Sequence, residues 1–431
     1  MTNCKDIYQQ KCVSMPQALE FIHSGDIIGV AAAALEPVAF LNQLHTIAPR
    51  IDDITVLFSL SYNDYPFVSD PSYQKKFRNI YAFFGKAARA AHERHQASFS
   101  PAHMHHGMFR RRRAYPVNVF VGTATPMDEH GYMRLSLSLQ YEKELVEMAD
   151  RVILEVNPNL PVVGGDTEVH IRDVDAVVEV DRPIPTAKPA LLTEADIEIG
   201  RNVASLIPDG ATIQLGIGSI PDAIGHALMD KHDLGVHTEM LTSCIADLVD
   251  AGVITNRKKT LHKGKIVCSF AYGDEHLYHM MHNNPAVLVM PSSYVNNPFI
   301  IAQNDNMYSI NTTLAVDLTG QVASETIGSM QFSGSGGQND TAEGAIHSKG
   351  GHSIIALRST TKNHQSKITA NLPLGSVVTL SRNNVDYIVT EYGIADLCGR
   401  SVQERVERLI EIAHPDFRAE LRRDAQHYKL W

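Results

Sequence analysis

The chain has 431 residues, a length at which one hydrophobic core stops growing and two domains are the ordinary outcome. Its hydrophobic content of 44% and charged content of 20% are typical of a globular protein with a large core. The net charge is −10 at pH 7 with neutral histidines, which argues against a nucleic-acid-binding protein, because such proteins usually present a basic face. A net negative charge of the whole chain does not exclude a local basic pocket that binds a phosphorylated ligand.

The sequence predicts a soluble, cytoplasmic protein. Its N-terminal residues are polar and show no secretory signal. The longest apolar stretch, residues 27–35, is about half of the roughly 20 residues that a membrane-spanning helix needs. Five scattered cysteines without a C-x-x-C pair indicate reduced thiols rather than a disulfide frame or a zinc site. They are Cys4, Cys12, Cys244, Cys268 and Cys398.

Short runs rich in β-branched residues alternate with helical stretches along most of the chain. This alternation predicts an α/β fold with mainly parallel sheets. The clearest predicted strands are Ile54–Phe58, 117–122, Arg151–Val156, 286–290, 353–357 and Tyr387–Thr390.

The two halves of the chain resemble each other weakly, with landmarks in the same order. Each half has a glycine before its first strand, an Asp-x-x-Gly turn after a later strand, and a similar closing strand. The paired landmarks are Gly25 and Gly210, Asp128–Gly131 and Asp317–Gly320, and strands beginning near Val174 and Val385. We therefore predict two related open α/β domains, residues 1–187 and 188–431, joined where several prolines interrupt regular structure. In such folds ligands bind where strand carboxyl ends face a crevice, so we expect the chemistry between the halves and mostly on the second domain.

The first candidate motif is QLGIGSIPD at residues 214–222. Its glycines form a strand-to-helix turn, and Pro221 suits the first turn of a helix continuing to Leu228. Such a turn lets backbone N–H groups approach an anion at the positive end of a helix. A tight turn without a ligand is an equally good explanation of this motif alone.

The second candidate is GVHTEML at residues 235–241, in which Glu239 ends a short predicted strand. A carboxylate is a usable nucleophile, because a reference pKa of about 4.3 leaves it ionised at neutral pH without a general base. Taken alone, a surface Glu in an ion pair is the commoner case. His237, two residues earlier, is more often structural in such a position than a ligand or a base.

The third candidate is the glycine-rich segment of residues 333–340, followed by Gly344 and by SKGG at residues 348–351. So many glycines are poor material for a helix or strand interior. A flexible surface loop is one interpretation. We favour the other, a backbone wall that offers N–H donors to a developing oxyanion, because a predicted strand follows and would fix the segment to the sheet.

The fourth candidate is HMHHGMFRRRR at residues 103–113. Its arginines could contact CoA-type phosphates, and His103, His105 and His106 could bind a metal. The histidines lack a recognisable ligand spacing, so we expect no metal there. The arginine run more often lines a solvated or interface surface.

Taken together, these segments resemble the acetyl-CoA hydrolase/transferase family, and most closely its 4-hydroxybutyrate CoA-transferase members. The resemblance runs from the first strand–turn unit almost to the C-terminus and is strongest after Ile197. The motifs that carry it are DEHGY at 128–132, VNPN at 156–159, QLGIGSIPD at 214–222, HTEM at 237–240, GVITN at 252–256, IAQNDNM at 301–307, GGQND at 336–340, SKGGHSII at 348–355, VTEYGIA at 389–395 and IAHPDF at 412–417.

This resemblance implies a fold related to class I CoA-transferases and assigns roles to particular residues. It makes Glu239 the nucleophile, which forms a glutamyl-CoA thioester. It further implies that two glycine turns and one lysine bind coenzyme A. These residues are Gly216, Ile217, Gly218, Ser219, Ile220, Gly336, Gly337, Gln338 and Lys362.

The implied activity is transfer of CoA between short-chain carboxylic acids, such as 4-hydroxybutyrate or butyrate and acetate. Coenzyme A is then a substrate, with no tightly bound cofactor, no metal, no nucleic acid or membrane partner, and a homo-oligomeric assembly. One alternative is an acetyl-CoA hydrolase that uses the same Glu with water as acceptor. A more distant one is a ligand-sensing module, which predicts an attached basic helix-turn-helix that the sequence does not show.

The sequence departs from the family pattern near the expected acyl pocket. Thr242–Ser–Cys244 replaces a usual Ser-Asp-Gly, and Thr341 and Glu343 replace a usual Phe and Arg. These changes bear on acyl specificity more than on the core chemistry.

Overall fold

The computed structural model describes residues 3–430 and divides the chain into two compact units. The first contains residues 3–186 and 269–294, and the second contains residues 187–268 and 295–430. The segment 269–294 therefore packs with the first unit, whereas the sequence-based division places it in the second domain. Among the described residues, no helix is both long and apolar enough to cross a membrane.

The residues up to 186 form nine strands and seven α-helices among the elements described. The strands are β1 Ile27–Val30, β2 Ile54–Phe58, β3 Phe77–Tyr81, β4 Ala97–Phe99, β5 Val119–Ala124, β6 Tyr132–Arg134, β7 Arg151–Val156, β8 Glu168–His170 and β9 Ala176–Glu179. The helices are α1 Cys4–Lys11, α2 Met15–Leu19, α3 Val38–Gln43, α4 Pro66–Ser69, α5 Lys86–Glu93, α6 Gly107–Arg111 and α7 Glu142–Met148.

The rest of the chain continues the same alternation. Its strands are β10 Thr212–Leu215, β11 Gly235–Leu241, β12 Ile266–Ala271, β13 Val287–Val289, β14 Met307–Thr312, β15 Ala315–Asp317, β16 Val322–Ala323, β17 Thr326–Ile327, β18 Met330–Gln331, β19 His352–Ala356, β20 Ile368–Thr369, β21 Tyr387–Thr390 and β22 Gly393–Asp396. Its helices are α8 Glu194–Leu206, α9 Ser219–Ala227, α10 Ser243–Asp250, α11 Glu275–Met281, α12 Ser292–Val295, α13 Pro298–Ile301, α14 Gln338–His347, α15 Val402–Glu411 and α16 Pro415–His427.

The predicted α/β fold with mainly parallel sheets is confirmed. In the first unit the sheet has the strand order β4-β3-β2-β1-β5-β7-β9, and its neighbours pair in parallel. In the second unit the main sheet has the order β11-β10-β14-β19-β21-β22, and among the described pairings of these six strands only β21–β22 is antiparallel. Strands such as β2 and β5 are buried along their whole length, as expected when helices cover both faces of a parallel sheet.

The internal resemblance of the halves is visible in the strand order. β1 has β2 as its neighbour on one side, and β5, β7 and β9 follow in that order on the other side. β10 has the same relation to β11 and to β14, β19 and β21. The closing strands matched by sequence, β9 and β21, therefore occupy equivalent sheet positions.

The two Asp-x-x-Gly turns are also equivalent in detail. Asp128 Oδ1 accepts hydrogen bonds from the amides of His130 and Tyr132, each at 2.9 Å. Asp317 Oδ1 accepts from the amides two and four residues later, at 2.9 and 3.0 Å. The fourth residue has a φ of +92° in the first turn and +95° in the second, a region that favours glycine. One local sequence thus builds the same turn twice.

Candidate active site

Glu239 lies near the carboxyl end of β11 in the second unit. β11 runs parallel to β10, with Thr212 opposite Gly235 and Ile213 opposite Val236. Its residues are buried as far as Thr238, whereas Glu239 and Met240 are partly exposed. The strand continues to Leu241, two residues beyond the predicted end. Glu239 thus lies where parallel α/β sheets usually bind ligands, and the residue as a whole is partly exposed.

The Glu239 carboxylate receives two hydrogen bonds. Asn296 donates from Nδ2 to Glu239 Oε2 at 2.7 Å. The backbone N–H of Gly337 also donates to this carboxylate. Asn296 is fully buried, and its own Oδ1 has no hydrogen-bond partner. A fixed amide and a fixed backbone N–H therefore point at the same acidic group.

Position 337 has room only for glycine. A Cβ built there would overlap both Glu239 Oε2 and Asn296 Nδ2. Gly337 is also the N-cap of α14, so the positive end of a ten-residue helix faces the carboxylate. The glycine allows the backbone of this helix to approach Glu239 directly.

The surroundings raise the pKa of Glu239 to about 7. Loss of hydration is the largest cause, and the nearby Asp340 carboxylate acts in the same direction. The hydrogen bonds from Asn296 and Gly337 lower the pKa but do not outweigh the other two effects. Glu239 is therefore only partly ionised at neutral pH, which differs from the full ionisation expected from its reference pKa.

His237 is a buried structural residue. Its Nε2 donates to the Val295 carbonyl oxygen at 2.8 Å, and Asn304 Nδ2 lies 3.4 Å from its Nδ1. Burial, together with the nearby Lys259 charge, lowers its pKa to about 3, so the ring is neutral. Because Val295 precedes Asn296, the His237 bond fixes the chain that carries the Glu239 partner.

The 214–222 motif forms the predicted strand, turn and helix. Gln214 belongs to β10, and its Oε1 accepts from the Ile310 amide and Asn311 Nδ2, each at 3.2 Å, which ties β10 to β14. In the turn, Ile217 is 46% exposed, and α9 begins at Ser219. Ser219 and Ile220 thus form the first turn of α9, after Gly216 and Gly218. An exposed turn before a nine-residue helix has the geometry of an anion-binding turn.

The glycine-rich segment differs from the prediction in its second half. Gln338 and Asp340 belong to the first turn of α14, although we expected no helix there. Within residues 333–340 the glycines end at Gly337, and α14 contains only one glycine, Gly344, among its ten residues. Gln338 Nε2 donates to the Thr312 carbonyl at 2.9 Å, which anchors the helix start to β14. Gly336 and Gly337 form the turn just before it.

The two remaining predicted segments, which contain Lys362 and residues 103–113, are described by their own local contacts. Lys362 is exposed, in a turn closed by the Thr361 amide donating to the Gln365 carbonyl at 2.8 Å. In the first unit, the Arg111 guanidinium is buried, donates to the Ser100 carbonyl at 3.1 Å and lies over the Tyr141 ring. Arg111 thus has a structural role, whereas Arg110, Arg112 and Arg113 are exposed.

Sequence reasoning missed Asn296 and Asp340. Asn296 precedes Asn297, which caps α13 by accepting from the Phe299 amide at 3.0 Å. A helix cap before Pro298 needs only Asn297. The additional asparagine at position 296 was therefore a sequence signal for a role other than capping. Asp340 follows the glycine turn and is completely buried, a rare state for a carboxylate. No spacing rule links either residue to Glu239, since the fold brings them together.

The chain matches known proteins over nearly its whole length. The acetyl-CoA hydrolase/transferase N-terminal domain matches residues 1–187, and the C-terminal domain of the same family matches residues 273–425. A 4-hydroxybutyrate coenzyme A transferase of Clostridium kluyveri is 42% identical over 97% of each chain. A succinyl-CoA:cyclohexane-1-carboxylate CoA transferase of Geobacter metallireducens is 38% identical over 96% of this chain and 94% of its own.

A solved structure agrees with these matches. The crystal structure of RipA from Yersinia pestis superposes with a TM-score of 0.93 and is 35% identical, covering 100% of both chains. The resemblance seen in the sequence motifs is confirmed. The chain belongs to the acetyl-CoA hydrolase/transferase family.

Proposed function

We propose that this protein is a CoA-transferase that moves CoA between short-chain carboxylic acids through a covalent glutamyl-CoA thioester at Glu239. The observation that carries the proposal is the partly exposed residue Glu239, whose carboxylate is held by Asn296 and by a backbone amide at a position where only glycine fits. The family and the named activities of its relatives support the reaction class. The Clostridium relative supports 4-hydroxybutyrate as one of the acids. A relative from Anaerostipes caccae that is named butyryl-CoA:acetate CoA-transferase supports butyrate and acetate.

The first half-reaction begins at the ionised carboxylate. A Glu239 oxygen attacks the thioester carbonyl carbon, the carbon–sulfur bond breaks, and CoA leaves as a thiolate, which gives a mixed anhydride. The thiolate then attacks the Glu239 carbonyl carbon, and the bond between this carbon and the bridging oxygen of the anhydride breaks. The first acid leaves as a carboxylate, and Glu239 carries CoA as a thioester.

The second half-reaction reverses these steps with a different acid. Its carboxylate attacks the glutamyl thioester, and the released CoA thiolate then attacks the new acyl carbonyl. A new acyl-CoA forms, and the Glu239 carboxylate is regenerated. The first acid leaves before the second binds, so the kinetics are ping-pong.

Asn296 and Gly337 have two roles in this scheme. In the resting enzyme they hold one orientation of the carboxylate. When the Glu239 carbonyl is attacked, negative charge develops on its oxygen, and the same two donors stabilise it. One such fixed donor is typically worth about 3 kcal/mol of transition-state stabilisation. The exposed turn of Gly216, Ile217 and Gly218 is the proposed contact for coenzyme A, together with Lys362.

The alternative is an acetyl-CoA hydrolase, an activity that the family description includes. The two are separated by incubating the protein with butyryl-CoA, with and without acetate. A transferase needs acetate for turnover, yields acetyl-CoA, and gives parallel double-reciprocal plots. A hydrolase releases free CoA at a rate that acetate does not change, and that result would contradict the proposal.

A further inference from the structure

Three side chains that can bind metal ions converge in the second unit, apart from the residues proposed to react. His364 Nε2 lies 3.0 Å from Asp416 Oδ2, and His414 Nδ1 lies 3.6 Å from the same oxygen. One ligand atom from each residue lies within 4.8 Å of the other two. In residues 3–430, this is the only group of three or more His, Cys, Asp or Glu residues that meets this distance limit.

Two of the residues are fixed by the start of α16. His414 is the N-cap of this 13-residue helix, and Asp416 lies in its first turn. The Asp416 amide donates to His414 Nδ1 at 3.3 Å, a long hydrogen bond. The Tyr392 ring packs edge-on against His414, with 5.4 Å between ring centroids. The imidazole and the carboxylate are therefore held close together by local structure.

The third residue, His364, comes from the turn of residues 361–365. Besides the bond that closes this turn, the His364 amide donates to the Thr361 carbonyl at 3.0 Å. The His364 ring lies 5.4 Å from the Phe417 ring and 4.9 Å from the His414 ring, centroid to centroid. Turn and ring packing thus direct His364 at the helix start.

The ligand set and its spacing suit a zinc-class ion. Zinc binds histidine nitrogen and carboxylate oxygen at about 2.0–2.2 Å, so the ligand atoms of a tetrahedral site lie about 3.3 Å apart. The two distances from Asp416 Oδ2 fall on either side of that value. The side chains of His364 and Asp416 are 59% and 65% exposed, which leaves room for a water molecule as fourth ligand.

We propose that His364, His414 and Asp416 form a binding site for a divalent transition-metal ion such as Zn²⁺. The ion replaces the hydrogen bond between His364 and Asp416, and the His364 ring proton moves from Nε2 to Nδ1. It also replaces the Asp416 amide at His414 Nδ1. The bound ion ties the turn that carries Lys362 to α16, so that it stabilises this turn without entering the CoA-transfer chemistry.

The test uses full-length protein without a histidine tag, stripped of metal by a chelator. Zn²⁺ is titrated in competition with a chromophoric chelator. We expect one ion per chain, and we expect His364→Ala to weaken the affinity at least tenfold, as for loss of a metal ligand or its support. Protein loaded with Co²⁺ should show visible absorption bands that His364→Ala removes.

The matched control is His232→Ala. His232 is another exposed histidine of the same unit, and its Nδ1 lies 3.6 Å from the single carboxylate of Asp209. This variant should bind Zn²⁺ as the parent protein does. Equal affinity of the parent protein and His364→Ala, or an equal loss in both variants, would overturn the proposal. The outcome is independent of the Glu239 mechanism, because no activity is measured.

Discussion

Two carboxylates, Glu36 and Glu239, have the same raised pKa of about 7 but belong to residues that differ in solvent exposure. Glu36 of the first unit is 1% exposed, and both its oxygens accept hydrogen bonds, from Ser61 Oγ on one side and from the Tyr62 amide and Asn63 Nδ2 on the other. Glu239 of the second unit is partly exposed, with Asn296 and Gly337 as donors. A raised pKa therefore reports loss of hydration in both, but only Glu239 combines it with access to a reacting molecule. Accessibility separates the nucleophile candidate from the structural carboxylate.

The largest effect should follow from removal of the nucleophile. We expect Glu239→Gln to lower kcat by at least about 1,000-fold, because the amide cannot attack a thioester. We expect Glu36→Gln to stay within about tenfold of the parent, because it does not react in this scheme. Acyl-CoA formation from butyryl-CoA and acetate measures both. Equal losses in the two variants would remove the distinction between the carboxylates.

The close approach at Gly337 is the next most sensitive feature. We expect Gly337→Ala to lower kcat by about 100- to 1,000-fold and to destabilise the fold by about 1–3 kcal/mol, because the new methyl group must displace Glu239 or Asn296. Gly164→Ala is a matched control, since its Cβ would meet nothing nearer than the Val287 carbonyl oxygen at 3.7 Å. Steady-state kinetics and thermal unfolding are measured for both variants. Normal turnover of Gly337→Ala would show that the close approach is not needed.

Asn296 tests the side-chain donor to the carboxylate. We expect Asn296→Ala to lower kcat by about 100-fold, because one fixed donor to the developing oxyanion is lost. Asn296→Asp should also shift the pH dependence to higher pH, because a second negative charge opposes ionisation of Glu239. The measurement is kcat at several pH values. An Asn296→Ala enzyme with parental kcat would assign Asn296 a purely structural role.

The pH dependence should follow the ionisation of Glu239. Because the carboxylate form reacts, we expect kcat/KM to rise with pH through about 7 and to fall tenfold per pH unit well below it. Glu36→Gln should keep this midpoint, although the two groups have similar pKa values. Initial rates between pH 5 and 9 provide the test. A midpoint near 4.5 in the parent enzyme would contradict the desolvated environment of Glu239.

The smallest effect concerns stability. The folded-state pKa of Glu239, about 7, lies above its ordinary value of 4.5, so its contribution to stability is present below pH 4.5 and is lost as pH rises through 7. We therefore expect Glu239→Gln to be more stable than the parent by about 1–2 kcal/mol at pH 8, with a smaller gain at pH 5. Urea unfolding at both pH values measures the difference. Glu36→Ala should instead be destabilised by about 2–4 kcal/mol, because it leaves three donors without their acceptor.

The fold was largely accessible from the sequence, because it is recorded in local patterns. β2, β7 and β21 have the predicted bounds, and the Asp128 and Asp317 turns follow from an Asp and a Gly three positions apart. The helix that begins at Gln338 was not predicted, because the glycine content of residues 333–337 was taken as evidence against a helix in the whole segment. The packing of residues 269–294 with the first unit was also missed, because no local pattern marks a return of the chain.

The site was only partly accessible. Glu239 and the glycine turns came from motifs and from the family resemblance, and the assigned roles remain predictions. Asn296 and Asp340 came from the fold alone, since they lie 57 and 101 positions after Glu239 in the sequence. The raised pKa of Glu239 was also beyond the sequence, because it depends on hydration lost in the folded chain.

The most direct test of the central claim is a mass measurement on the parent protein incubated with butyryl-CoA and no acceptor acid. The account predicts an adduct with the mass of CoA, less one water, on the peptide that contains Glu239. The adduct should disappear when acetate is added, and it should be absent in Glu239→Gln. An enzyme that turns over normally without this adduct, or that carries it on a different peptide, would contradict the account.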